Sequence, residues 1–136
     1  GHLIKNLAIQ SLKKKPKIFI YGKNYDTKDG TCVRDYIHVL DLVDAHLKSL
    51  NYINMNLKSL ILNCGYGKGY SVLDIVNEFK KINKKINIVF TKRRSGDVSQ
   101  IYADANKIKN KLKWKPKYNN LKKILNSAIK WEKKIS

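Results

Sequence analysis

From Leu121 onward the apolar residues Leu121, Ile124, Leu125, Ala128 and Ile129 recur at i, i+3, i+4, i+7 and i+8, one stripe of an α-helix. A stripe of that width has to be covered by other parts of the chain. A second stripe, Val72, Ile75, Val76, Phe79 and Ile82, follows Ser71 and Asp74, whose spacing predicts a capping box at a helix start. Between and before these stripes lie short apolar runs without helical spacing. Ile18-Phe19-Ile20-Tyr21, closed by Gly22, reads as a strand, and Ile86, Ile88 and Phe90 alternate as another. Asp35-Tyr36-Ile37-His38-Val39 is a further strand candidate, and Leu60-Ile61-Leu62-Asn63 reads as a strand buried on both faces. Helices alternating with short strands predict a mixed α/β chain.

Three weaker helices complete the pattern. Leu3, Ile4, Leu7 and Ala8 have helical spacing, with neither a cap nor an initiator Met before them, so the chain is expected to start within a larger structure. Leu42, Ala45, Leu50 and Ile53 recur at roughly helical spacing. Asp104 can cap a helix carrying Ala105, Ile108 and Leu112, which must stop before Pro116. With 136 residues the chain is one domain or a piece of one.

Composition removes several classes. No apolar run approaches the ~20 residues that span a bilayer. Cys32 and Cys64 lack CxxC or Cys/His spacing, so neither a zinc site nor a redox pair is written here, and a reducing, cytoplasmic location is expected. The net charge is +19, from 29 Lys+Arg against 10 Asp+Glu. Of those cations 26 are Lys and 3 are Arg, whereas phosphate and base readout favour arginine forks. Lys, Asn and Ile, all encoded by A/T-rich codons, supply 56 of the 136 residues. We therefore read the lysine excess as codon drift before a polyanion-binding face, and rank nucleic acid last among partners. A Lys-rich nucleic-acid module stays as the weakest alternative.

Few residues promise chemistry. Gly65-Tyr66-Gly67-Lys68-Gly69 invites a phosphate-loop reading, but the dinucleotide fingerprint needs Gly at its sixth position, where Tyr70 stands. A tight turn capped by Ser71 is the better account. Tyr118 and Lys122 have YxxxK spacing, yet Tyr118 follows Trp114-Lys115-Pro116 in a loop instead of lying on a helix beside a nucleotide-binding sheet. His38 is expected to be packed or hydrogen-bonded. The strongest signals are Arg34-Asp35 and Arg93-Arg94-Ser95-Gly96-Asp97. Arginine forks can neutralise a diphosphate, and a nearby carboxylate can accept from ribose hydroxyls; solvated loop charges are the plain alternative.

Gly30-Thr31-Cys32-Val33-Arg34-Asp35-Tyr36-Ile37-His38-Val39, with Asp41-Leu42, resembles the GT-x-x-RDYIHV-x-DL signature of UDP-glucose 4-epimerases, in the extended short-chain dehydrogenase/reductase superfamily. Ile20-Tyr21-Gly22, Leu62-Asn63-Cys64-Gly65, Arg93-Arg94-Ser95-Gly96-Asp97, Ala103-Asp104 and Leu112-Lys113-Trp114-Lys115-Pro116 follow in family order. The resemblance implies that residues 1–136 are the C-terminal, mixed α/β, UDP-sugar-binding portion of a Rossmann-type enzyme. The N-terminal Rossmann domain, with its GxxGxxG loop for NAD and its catalytic YxxxK pair, is absent from this sequence.

Family chemistry passes hydride from sugar C4 to NAD and returns it to the opposite face. By resemblance, then, the parent enzyme interconverts UDP-glucose and UDP-galactose and is often a homodimer. This chain alone would bind no NAD, hold no catalytic residue and be inactive. The backbone around Phe19 and Tyr21 would hold uracil, Arg34 and Arg94 the diphosphate, Asp97 the ribose hydroxyls, and Leu3 would contact the nucleotide. Ile101 would line the space beside the sugar's 2-substituent, unless a one-residue shift put Tyr102 there. A free-standing, non-catalytic UDP-sugar-binding domain, or one docking on a separately encoded Rossmann half, is the alternative.

Overall fold

In the computed structural model, which describes residues 2–136, strand β1 (Lys17–Tyr21) buries Ile18 and Ile20 and turns Lys17, Phe19 and Tyr21 outward. That alternation is what a half-covered strand requires. Beside it runs β4 (Asn87–Thr91), parallel and in register from Lys17 opposite Asn87 to Tyr21 opposite Thr91. Parallel strands need a crossover, and helix α3 (Val72–Ile82) immediately precedes β4. Its start is built as the sequence predicts. The Ser71 side chain accepts from the Asp74 amide, and the Asp74 carboxylate accepts from the Ser71 amide. Ile75, Val76 and Phe79 are fully buried.

Helix α1 (Leu3–Ser11) and helix α5 (Leu121–Ile135) pack against each other and complete this layer. Leu7, Ala8, Ile18, Ile20, Ile75, Val76, Phe79, Leu125 and Ile129 form one core. A second core gathers Ala45, Tyr66, Ile108, Leu112, Trp114 and Ile124 between helix α2 (Val39–Asn56) and helix α4 (Asn106–Leu112). A small sheet carries the loops between the two. Strand β2 (Val33–Arg34) lies between β3 (Tyr70–Ser71), antiparallel, and β5 (Gln100–Ile101), parallel.

Two expected strands are replaced by other structure. Residues 35–38 form no ladder, because their polar groups are committed elsewhere: the Asp35 carboxylate accepts from the Tyr66 amide at 3.1 Å, and the His38 amide donates to the Tyr66 hydroxyl at 3.0 Å. Val39 begins α2, and His38 is its cap, with Nδ1 accepting from the Leu40 amide at 3.1 Å. His38 is buried and stacks on Tyr118 at 4.6 Å between ring centroids, so it is packed and hydrogen-bonded as expected, though outside a strand. The other candidate, residues 60–63, lies outside any assigned strand and pairs with no strand among the described residues. Leu60 and Leu62 rest half-buried on the second core, whereas Ile61 is 88% exposed. Asp104 accepts from the Asn106 amide, one residue before the cap position itself.

Helix α2 has a second consequence. Asp41 and Ala45 face inward, while Val39, Val43, Leu47 and Leu50 form an exposed apolar stripe along its length. Asp41 is nearly inaccessible, yet well satisfied. It accepts from the Tyr66 hydroxyl at 2.6 Å and from the amides of Lys117 and Tyr118 at 2.7 and 2.9 Å.

Candidate functional site

Strand β1 ends at Tyr21 and β4 at Thr91, and the loops that follow them meet β2 around a groove of about 380 Å³. Leu3 from α1, Phe19 and Tyr21 from β1, Arg34 from β2, and Arg94 and Asp97 from the 92–97 loop all line it. Outward alternation on β1 is what exposes Phe19 and Tyr21 to this space.

Asp97 ties the cations together. Arg94 donates through Nε to Asp97 Oδ2 at 2.9 Å, and Arg34 Nη2 stands 3.8 Å from Asp97 Oδ1. The Arg34 guanidinium is fixed by its own donation to the Val33 carbonyl at 2.8 Å, and that of Arg94 lies 4.8 Å over the Tyr21 ring. The two guanidinium groups face the Asp97 carboxylate between aromatic walls, while the carboxylate of Asp35, also in the lining, is taken up by the Tyr66 and Ala103 amides. Such a groove suits an anion joined to a flat ring. None of its groups is an activated nucleophile or a paired acid and base, so binding is what this geometry can do.

Tyr36, Cys32, Asn6 and Val72 also line the groove and were not singled out as site residues. Tyr36 was within reach, since it stands two residues from Arg34 on a run read as period two. Burial pushes the Tyr36 phenol up to about 12, with Arg34 opposing and Cys32 reinforcing the shift, so it stays a neutral donor. Ile101 is apart from these residues. It is opposite Arg34 in the β2–β5 register, 58% exposed, and outside the groove lining.

The glycine-rich loop of residues 65–69 holds an internal anion instead of an external one. Asp35 occupies it, accepting from the Tyr66 amide, and a Cβ on Gly65 would collide with that carboxylate and with Ala103. The residues present therefore do not fit a dinucleotide such as NAD at this turn. Tyr118, whose amide bonds Asp41 and whose ring covers His38, likewise serves packing.

Over residues 1–126 the chain matches the family described as GDP-mannose 4,6 dehydratase. The chain belongs to this family. It is 42% identical over 135 residues to a UDP-glucose 4-epimerase of Azospirillum brasilense, covering 98% of this chain and 39% of that one. Among solved structures, the UDP-Glc/GlcNAc 4-epimerase from Campylobacter jejuni superimposes with a TM-score of 0.86 at 45% identity, over 97% of this chain and 40% of that one. A UDP-glucose-4-epimerase from Stenotrophomonas maltophila, with bound NAD and formylated UDP-arabinopyranose, gives a TM-score of 0.93 at 32% identity, over 99% and 40%. The family member described here thus has the mixed α/β fold of these epimerases and spans about two fifths of their length.

Proposed function

We propose that this chain is the C-terminal, UDP-sugar-binding part of a UDP-glucose 4-epimerase. The observation that carries the reading is the convergence of Arg34 and Arg94 with Asp97 on one groove edged by Phe19 and Tyr21. Uracil lies along the outward face of β1, the diphosphate takes the two guanidinium groups, and Asp97 turns to the ribose hydroxyls. The named relatives support UDP-sugars as the ligand class, since their own substrates and bound molecules are of that kind. Ile101 stands beside the sugar's 2-substituent in this reading. Leu3 closes the groove from α1.

NAD supplies the hydride acceptor in a complete epimerase, and the remainder of such an enzyme has to hold it, because Asp35 fills the only glycine-rich turn among the described residues that resembles a dinucleotide loop. Two features support a Rossmann half, in the same or a separate polypeptide, as the partner: the exposed stripe Val39, Val43, Leu47 and Leu50, and the unpaired residues 60–63. The test is calorimetric titration of the chain with UDP and with uridine, followed by an assay for UDP-glucose and UDP-galactose interconversion with added NAD. Tighter binding of UDP than of uridine, without turnover, is expected. Equal affinity for the two would remove the arginines from the site, and turnover would overturn the division of labour.

A further inference from the structure

We infer that Arg93 is a positioning residue for the nucleotide groove, pinning the 92–97 loop to the 22–30 loop and so aiming Arg94 and Asp97. The inference rests on the nucleotide reading of that groove. Adjacent in sequence, Arg93 and Arg94 do different things. Arg94 lines the groove, while Arg93 donates through Nε to the Asn24 side-chain oxygen at 2.8 Å, reaches the Asn24 carbonyl with a second nitrogen, and lies 4.1 Å over the Tyr25 ring.

Gly22 makes the crossing possible. Its φ is +81°, and a Cβ there would collide with the Tyr25 ring and the Arg93 stem. The ground that Arg93 grips is itself fixed. Tyr25 is buried and its amide donates to Gly30 at 3.0 Å, while Asp29 ties this loop to Thr31 and to Ser71 at the head of α3. By contrast, residues 92–96 are all exposed. The Arg94–Asp97 bond travels with their loop, and the 3.8 Å Arg34–Asp97 approach is too long to fix it. A flat, forked cation that both stacks and donates twice fits the task, and lysine does not.

The experiment compares Arg93→Met, which keeps the stem, with Arg93→Lys, which keeps the charge, each alone and with Arg94→Ala, in the 136-residue chain. UDP titration reports affinity, and backbone amide hydrogen exchange without ligand reports the pin. Both single variants should raise the Kd for UDP about tenfold, as expected for residues sharing one network. Once Arg94 is alanine, either should weaken binding by clearly less than tenfold, the remaining loss coming through Asp97. Exchange at Gly22 and Asp97 should quicken while Phe79, in α3, keeps its protection. Full affinity in Arg93→Lys would make Arg93 a mere charge, losses that multiply with Arg94→Ala would make it a direct ligand contact, and unchanged exchange would remove the pin; each overturns the inference. If the wild-type chain bound no UDP but Arg93→Met quickened exchange at Gly22 and Asp97, the pin would stand and the nucleotide reading alone would fall.

Discussion

Arg34→Ala is the perturbation most sensitive to the proposed site. The Arg34 side chain is 26% exposed and held by the Val33 carbonyl, so its rotamer freedom is already spent before a ligand arrives. A charge-assisted hydrogen bond contributes about 1.5 to 3 kcal/mol, and truncating a largely desolvated charged partner costs somewhat more. We expect a loss of about 3 kcal/mol for UDP, roughly a 150-fold rise in Kd. Arg94 is 53% exposed, so solvent screens it, and Arg94→Ala should cost about 1 to 2 kcal/mol. Uridine, lacking phosphate, should bind either variant almost as it binds the wild type. The assay is calorimetric titration at fixed ionic strength, with Lys134→Ala on the far part of α5 as the control cation. Equal losses for UDP and uridine, or a Lys134→Ala loss matching that of Arg34→Ala, would refute the assignment.

Phe79→Ala should lower stability by about 3 to 5 kcal/mol in urea denaturation, because Phe79 is 0% exposed at the centre of the first core. Asp29 governs part of the acid limb: burial pushes its carboxyl up, but the Ser71 hydroxyl, the Thr31 hydroxyl and the Thr31 amide outweigh burial and hold it below the ordinary range. A depressed folded value means that its stabilisation is present above the unfolded value, about 3.9, and fades as pH falls through the folded one. Asp29→Asn should therefore reduce stability at neutral pH and flatten the loss below about pH 4, and an unchanged acid slope would count against it. In an enzyme completed with a Rossmann half, Ile101→Tyr should lower kcat/KM for UDP-N-acetylgalactosamine selectively over UDP-galactose, by roughly 1 to 3 kcal/mol; equal loss on both removes Ile101 from the sugar pocket.

Local signals carried most of the helices. The Ser71 and Asp74 box and the Leu121 to Ile129 stripe act within one or two turns, so a window of sequence contains what decides them. Residues 35–39 were misread as a strand because what holds them, Tyr66 and Ala103, is remote in sequence. At residues 60–63 the unbroken apolar run reads as a strand buried on both faces, but neither the presence of a pairing strand nor the exposure of Ile61 is a local property. Within the site, resemblance named residues that the fold does bring to one groove, with Ile101 set apart. Nothing in composition or period distinguishes Arg93 from Arg94; only the gap left by Gly22 sends one side chain over Tyr25 and the other over Tyr21.

The packing of α1 on α5 joins segments far apart in the sequence, and β1 likewise waits for β4. Leu7 and Ala8 are made well before Leu125 and Ile129, the residues that cover them from α5. Closing so long a chain adds little to the final free energy, since each doubling of a loop costs only about 0.6 kcal/mol. It does set the order of events, because α3 with its own capping box can form early, while α1 has only β1 and α3 to rest on until α5 is made. A ribosome stalled before Leu121 would hold a chain in which Leu7 and Ala8 lack their α5 cover, an opening for chaperones or proteases that closes when α5 docks.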